Sequence, residues 1–361
     1  MKKLLLLLAL SGCVAAGHAQ EILLGTDFKM YFDNKEFGSN EFAVPGLDIE
    51  SGTDFAARLT PRVGIRWDEK NTLVIAADMI KNFGTQESAY LSEIKPVFYY
   101  QFQTPKVTAA AGIFTRDMMH DDDYSTAFFS ESERFFHNRM NGVLAQYNGK
   151  RDSYVEFVCD WEGMYSTLSR EKFRILLAGR HYLDTFYYGF NYSMFHYAGQ
   201  QGAPIENVVD LQLLTPCVGV RFNAFFDFDI KLGALLTAQR DRSFGHSWEK
   251  PCMGEFAFRI SRWGLSLDER LYVGDNIHPF FYGHELEDGT PLPYGRELYP
   301  ADQKGYSRPA LSYRRSFFDD TVSVRAEFAA HHDGTALGTQ QMLVVGVKLL
   351  KTVYNSKNHK K

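Results

Sequence analysis

The sequence lacks the marks of several common protein classes. It has four cysteines among 361 residues and no CxxC pair, so neither a zinc site nor a disulfide framework is indicated. The 39 Lys and Arg residues do not outnumber the 44 Asp and Glu residues, and the net charge of -5 argues against nucleic acid as a partner. The GxSxG elbow of serine hydrolases is also missing. No cofactor and no metal is predicted.

Long hydrophobic runs are missing after the N-terminus. Lys2 and Lys3 precede an apolar run, and small residues follow up to Ala19, which predicts a cleaved signal peptide over residues 1–19. A lipobox-like sequence ending at Cys13 leaves a lipidated N-terminus as the alternative. Beyond it no apolar stretch approaches the ~18 to 20 residues of a transmembrane helix. A membrane role must therefore come from strands.

Strict alternation is the clearest pattern present. Between Thr53 and Trp67 the odd positions are apolar, whereas the even positions include Arg58, Arg62 and Arg66. A period of two gives a strand with one apolar face and one face that needs water. Aromatic residues make up 15% of the chain, which is typical of a barrel with aromatic girdles in a membrane.

The same alternation recurs along nearly the whole chain. We predict an all-β fold, a transmembrane antiparallel up-and-down β-barrel of about 16 strands, with 14 to 18 as the range. Short turns alternate with longer loops, which is the known asymmetry of outer-membrane barrels. The barrel domain is expected over residues 20–354 and a short basic tail over residues 355–361. The expected location is the cell outer membrane, with the N- and C-termini in the periplasm.

One internal repeat joins two of these strands. The segment from Leu59 to Trp67 matches the segment from Leu214 to Phe222, half a barrel away in the predicted order. Convergent use of the same strand chemistry and an old duplication both explain the repeat. In the second copy, Leu211 and Leu213 run out of phase with the apolar residues after Pro216. We therefore expect a β-bulge near residues 213–216.

The inferred inward face of the barrel is charged. The channel-lining candidates are Arg58, Arg62, Arg66, Asp78, Arg174, Arg180, Arg221, Arg259 and Arg325. Three arginines on one strand would produce a field that favours anionic solutes. The alternative is that these charges form cross-strand salt bridges that stiffen the wall.

In strand number, length and loop asymmetry the chain resembles sixteen-stranded general porins. The signal ending in Ala-Gln and the glycine-bearing last strand resemble porin-like barrels of Bacteroidetes-type outer membranes. The resemblance implies a channel for passive diffusion of small hydrophilic solutes, and the field of the arginines adds anionic solutes as the expected cargo. Expected partners are these solutes, outer-membrane lipid and lipopolysaccharide, and the outer-membrane assembly machinery; a homo-oligomer is left open.

The third long loop, residues 117–140, is acidic. In general porins the third loop folds into the bore and narrows it, so the resemblance implies a constriction here. The constriction-loop candidates are Asp121, Asp122, Asp123, Glu131 and Glu133. The alternative is a solvated acidic loop on the surface.

Two other function classes compete with the channel. One is a barrel that binds another protein or serves in assembly. The other is a barrel enzyme acting on lipid or peptide, for which His331, His332 and Asp333 or the pair His120 and Asp121 could supply a base and its carboxylate. No nucleophile elbow accompanies them, and adjacent histidines on a strand project to opposite faces. We therefore expect no enzymatic activity.

Overall fold

The protein folds into a closed antiparallel β-barrel. The computed structural model describes residues 21–37, 51–85, 89–120, 123–125, 128–203, 208–242, 247–275, 305–333 and 337–355. Its sheet contains 17 strand segments, and the first strand pairs with the last, which closes the barrel. Two short segments, β14 and β15, both lie between β13 and β16 and share one position in the wall. The wall therefore has 16 positions, as the sequence predicts.

The strands are long and follow the predicted order. The first nine are β1 Glu21–Phe37, β2 Gly52–Trp67, β3 Asn71–Asn82, β4 Glu93–Gln103, β5 Val107–Thr115, β6 Arg139–Asn148, β7 Tyr154–Gly163, β8 Lys172–Leu183 and β9 Phe186–Tyr197. The others are β10 Val209–Asn223, β11 Asp227–Asp241, β12 Cys252–Arg262, β13 Leu265–Gly274, β14 Gly305–Ser307, β15 Ala310–Phe317, β16 Val322–His332 and β17 Leu337–Asn355. Within the described residues one α-helix, α1, spans Glu131–Phe136, and a short 3-10 helix spans Arg116–Met118.

The two faces of the wall match the alternation in the sequence. In β2, Phe55, Leu59 and Val63 are exposed on the outer surface, whereas Ala56 and Arg58 are buried inside the barrel. A side-chain period of two makes this sorting a property of the whole strand. The predicted apolar outer face and charged inner face are confirmed.

The connections define two different ends. At one end, called the turn end, neighbouring strands are joined by short turns such as those at residues 68–70, 184–185 and 263–264. The non-glycine residues with positive φ in the described chain all lie in these turns, among them Asp68, Asp184 and Trp263. Tight hairpins require such φ values. The opposite end, called the loop end, carries the longer connections.

The predicted bulge in β10 is wrong. Residues Val209 to Val220 pair with β9 in one unbroken register, and the same strand keeps one register against β11. Leu211 and Leu213 instead point into the barrel, where they are 2% and 3% exposed. Their apolar character fits because the interior at that height is filled by protein and not by water alone.

The chain ends are outside the described part. Residues 1–20 and 356–361 are not among the described residues, so the signal peptide and most of the basic tail stay predictions. No helix among the described residues is long and apolar enough to cross a membrane.

Candidate functional site: the bore and its third loop

The third long loop lies inside the barrel. It leaves β5 through a 3-10 turn at Arg116–Met118 and returns to β6 after α1. Phe128 and Phe129 are 1% and 0% exposed, and Phe135 stacks on Tyr31 of β1 at a centroid distance of 4.9 Å. Three large rings of one loop are thus buried against the inner wall. A loop lying on the outer surface of the molecule would leave such rings in water.

Helix α1 presents two of the predicted carboxylates. The Ser130 side chain accepts a hydrogen bond from the Glu133 backbone N–H at 2.9 Å, which caps the helix. Glu133 lies 3.4 Å from the Arg116 guanidinium and 3.2 Å from that of Arg174 on β8. Glu131 accepts two hydrogen bonds from Arg325 of β16, at 3.0 and 3.2 Å. One short helix therefore bridges two distant parts of the wall.

Two further ion pairs fasten the rest of the loop. Lys29 of β1 donates to Asp117 at 2.7 Å, and Arg180 of β8 donates to Asp123 at 2.7 Å. The loop is tied to β1, β8 and β16, so it lies across the bore. Of the predicted constriction residues, Asp121 and Asp122 lie outside the described residues. The constriction role itself stays a prediction.

The surroundings of the loop change the acidity of its carboxyl groups. Burial by itself would raise the pKa of Glu131, but the nearby Arg325 and Arg134 guanidinium groups overcome it and lower the pKa to about 2. Burial likewise opposes ionisation of Asp117, and Lys29 lowers its pKa to about 2. Both groups are carboxylates at neutral pH, so both ion pairs are charged.

Glu156 on β7 provides an anchor that the candidate set lacks. Its side chain accepts hydrogen bonds from Tyr124 Oη at 2.9 Å, from the His120 backbone N–H at 2.9 Å and from Gln146 at 2.6 Å. Arg116 is a second addition: its guanidinium lies over the Phe129 ring at 4.0 Å. Arg116 continues the inward phase of β5, so the alternation pattern contained a signal for it.

The predicted arginine ladder of β2 is paired throughout. Arg58 lies 3.0 Å from Asp78, which is itself a predicted lining residue. Arg62 forms an ion pair with Asp27, and Arg66 lies 3.2 Å from Glu21. Each arginine has one carboxylate from a neighbouring strand. The arrangement is the cross-strand network that the sequence left as the alternative, and it cancels most of the ladder's charge.

The remaining predicted arginines lie on other parts of the inner wall. Arg221 contacts Asp229 at 2.9 Å near the turn end. Arg259 forms an ion pair with Asp268 on the adjacent strand. Arg325 contacts Glu327 at 3.1 Å in addition to its bonds to Glu131. Arg174, Arg180 and Arg325 hold the third loop, whereas Arg58, Arg62, Arg66, Arg221 and Arg259 bind carboxylates of the wall.

Polar cavities surround the loop. One of them, about 500 Å³, is lined by residues of β1, β17 and the loop, including Lys29, Asp117 and Lys348. Two smaller ones, of about 140 and 170 Å³, lie against β8 to β13 and against β12 to β16, respectively. The cavities share lining residues: Asp123 borders the first two, and Glu131 borders the first and third. They therefore adjoin one another around the loop.

The third of these cavities is basic. Its lining contains six arginines and three carboxylates. The arginines are Arg134, Arg259, Arg270, Arg308, Arg314 and Arg325, and the carboxylates are Glu131, Asp268 and Glu327. All but Arg134 and Glu131 come from β12 to β16 or from the link between β14 and β15. The excess positive charge thus lies on the wall formed by β12 to β16 and not on the predicted ladder; we call this part of the wall the basic wall.

The histidines proposed as catalytic bases lie at separate places: the His120 Nε2 atom is 3.2 Å from Asn148 Oδ1, its predicted partner Asp121 lies outside the described residues, and His331 and His332 face opposite sides of the wall. His331 is fully buried, with its ring nitrogens 2.6 Å from Tyr306 Oη and 3.1 Å from Gln340 Oε1. His332 is exposed on the opposite face, as its position on the strand requires. A different imidazole and carboxylate meet on the outer surface, where His196 Nδ1 lies 3.3 Å from Asp210.

Comparisons with known proteins give a family for the chain. A family model described as Lipid A 3'-O-deacylase-type matches residues 14–245, well over half of the chain. No curated protein matches the sequence. The match overturns the expectation that the protein lacks enzymatic activity, because this is an enzyme family. The missing GxSxG elbow excluded serine hydrolases of that one type and did not exclude hydrolytic enzymes in general.

Solved structures with similar architecture include OprD of Pseudomonas aeruginosa, an outer membrane protein. OpdL of Pseudomonas aeruginosa is 10% identical, with 91% of this chain and 99% of that chain covered and a TM-score of 0.47. OprD of the same organism is 11% identical, with 92% and 96% covered and a TM-score of 0.48. OccAB3 of Acinetobacter baumannii is 10% identical, with 91% and 99% covered and a TM-score of 0.47.

Proposed function

The chain belongs to the lipid A 3'-O-deacylase-type family, and we propose that its barrel also serves as an outer-membrane channel for small hydrophilic solutes. The observation that carries the proposal is the third loop, which crosses the bore while polar cavities remain around it. A barrel of this many strands has a bore too wide for its wall side chains to fill. Folding a loop inward narrows such a bore without closing it.

The charge around the loop favours anions. The cavity on the basic wall has six arginines against three carboxylates, and Lys348 adds a positive charge to the cavity of about 500 Å³. Low-dielectric walls focus the field of such groups into the water between them. Solutes carrying a carboxylate or a phosphate would be concentrated beside the loop. The paired arginines of β2 contribute little to this selectivity.

The proposal includes an orientation in the membrane. We place the turn end of the barrel and the N- and C-termini of the chain in the periplasm, and the loop end outside the cell. This is the arrangement of outer-membrane barrels. Outer-membrane lipid and lipopolysaccharide would surround the wall, and the outer-membrane assembly machinery would insert it. The predicted signal peptide supports export to that compartment.

Bilayer recordings test the channel. The purified barrel should give discrete conductance steps, and a tenfold salt gradient should give a reversal potential on the anion-selective side. Replacing Arg270 and Arg314 by Gln should move that potential toward cation selectivity, because both line the basic wall. Silent bilayers from protein that is folded by its gel mobility would contradict the proposal.

Ester hydrolysis on lipid A is the second candidate. Family membership and one observation favour it: His196 and Asp210 meet on the outer surface, within the matched residues. An imidazole oriented by a carboxylate can act as a general base toward water. Mass spectrometry of lipid A incubated with the purified barrel should then show loss of an acyl chain, and His196→Ala should abolish the loss. Unchanged lipid A with the wild-type protein would exclude this activity.

A further inference from the structure

A row of side chains crosses the outer surface of the wall near the loop end. Trp161, Phe173, His196, Asp210 and Arg240 belong to five consecutive strands, β7 to β11, and each is the register partner of the next. Trp161 stacks on Phe173 at 4.9 Å, and Phe173 lies 5.0 Å from the His196 ring. We call these five residues the outer row. One half of it is aromatic and the other half is charged.

The charged half is organised by one carboxylate. Asp210 accepts two hydrogen bonds from Arg242, at 2.7 and 2.9 Å, and a third from Arg240 Nε at 3.1 Å. The Asp210 side chain is only 11% exposed, whereas those of Arg240 and Arg242 are 30% and 49% exposed. The negative charge is therefore covered and the guanidinium groups face outward. Two positive charges meet one negative charge, which leaves an excess positive charge on the surface.

A neighbouring aromatic residue fixes one of these guanidinium groups. The Arg240 guanidinium carbon lies 4.4 Å from the centroid of the Trp248 ring. Stacking of this kind restricts a flexible side chain and keeps its N–H groups in one plane. The cluster formed by His196, Arg240 and Arg242 is thus preorganised for a planar or tetrahedral anion.

The height of the cluster matches the edge of a membrane. On β9 the outward residues from Phe186 to Met194 are all aromatic or apolar, and His196 is the next outward residue. The ten residue steps from Phe186 to His196 rise roughly 33 Å along the strand, or about 25 Å along the barrel axis at the usual tilt. That is the height of the apolar band of an outer-membrane barrel. The outer row therefore lies where acyl chains give way to headgroups.

We propose that His196, Arg240 and Arg242 bind the phosphate of a lipid headgroup, with Trp161 and Phe173 packing beside the same lipid. The site faces away from the bore, so a solute in the channel does not reach it. Arginine forks recognise phosphate through paired N–H groups, and aromatic rings are favoured at the membrane interface. Assignment to the outer leaflet rests on the orientation proposed above, whereas the binding itself depends on neither conductance nor hydrolysis.

Native mass spectrometry of the detergent-solubilised barrel tests the site with phosphatidic acid as the probe and phosphatidylcholine as the control lipid. The wild-type protein should retain phosphatidic acid at least tenfold more tightly than phosphatidylcholine. The double variant Arg240→Gln with Arg242→Gln should lose that preference. Arg315→Gln is the matched control, because Arg315 also faces outward but lies near the turn end. It should leave the preference unchanged.

A measurement on protein with both arginines intact protects the test against a folding defect in the double variant. Brominated phosphatidic acid should quench tryptophan fluorescence more than brominated phosphatidylcholine, and Trp248→Phe should remove much of the difference. Equal retention of the two lipids by the wild-type protein would overturn the proposal. Displacement of phosphatidic acid by an equal concentration of inorganic phosphate would show a general phosphate site and overturn the lipid assignment.

Discussion

Replacing Glu131 by Gln should weaken the attachment of the third loop to the wall, while the side chain at this position keeps its size. Glu131 accepts two hydrogen bonds from Arg325, and its side chain is 16% exposed. Its pKa falls from the ordinary value of 4.5 to about 2. That difference corresponds to about 3 kcal/mol of stabilisation of the charged form at neutral pH. Losing it would change the ratio of docked to undocked loop by roughly 100-fold.

The pH dependence follows from the same lowered pKa. A carboxyl group with a lowered pKa contributes its full stabilisation above its ordinary value and loses it as pH falls toward the lowered value. The Glu131 contact should therefore be constant from pH 8 to about 5 and weaken between about 4.5 and 2. Asp117 titrates over a similar range, so Glu131→Gln should reduce the acid sensitivity and not abolish it.

Single-channel recording at neutral pH measures the loop directly. Glu131→Gln should produce larger or more frequent conductance steps than the wild-type protein. Glu21→Gln is the matched control, because Glu21 also pairs with an arginine but lies near the turn end, away from the loop. In a double-mutant cycle with Arg325→Gln, the effects of the two substitutions on conductance should not be additive. Identical recordings from Glu131→Gln, Glu21→Gln and wild type would refute the docking energetics.

Three further predictions concern the interior, the paired arginines and the orientation. Phe129→Ala should destabilise the barrel by about 3 to 5 kcal/mol in urea unfolding, because Phe129 is fully buried under Arg116; a change below about 1 kcal/mol would contradict its role in packing. Replacing Arg62 by Gln together with Asp27 by Asn removes a neutral pair, so the reversal potential should not move. With Cys159, Cys217 and Cys252 replaced by Ser, a membrane-impermeant maleimide should label a Gln201→Cys variant on intact cells, because Gln201 is exposed in the loop beyond His196; labelling only after lysis would reverse the proposed orientation.

The candidate site was only partly predictable because its contacts are non-local. The acidic character of the third loop is visible in the sequence, and its place inside the barrel matches the expectation from general porins. Its partners are not visible, since Glu131 and Arg325 are 194 residues apart. The arginine ladder of β2 is a second case in which the sequence shows the residues but not their partners. Arg62 has the spacing of a lining residue, but Asp27 of the neighbouring strand determines how much of its charge remains.

Function was harder to predict than fold. The expectation of a non-enzymatic barrel rested on the missing elbow motif and on the adjacent histidines 331 and 332. The family match overturns it. His196 and Asp210 lie 14 residues apart on neighbouring strands and form no sequence motif. Only the register of β9 against β10 brings them to the same height on the outer surface.

The sequence by itself determined the wall of this protein. A period of two assigns each side chain to the lipid face or the bore, and the positions of turns and loops determine the strand number and the two ends. Tertiary structure decided which arginine charges remain effective. Strand register and the docking of the loop bring carboxylates within a few ångströms of some arginines, and these carboxylates neutralise their field. It pairs the arginines of β2, holds the third loop with Arg174, Arg180 and Arg325, and leaves the excess positive charge on β12 to β16.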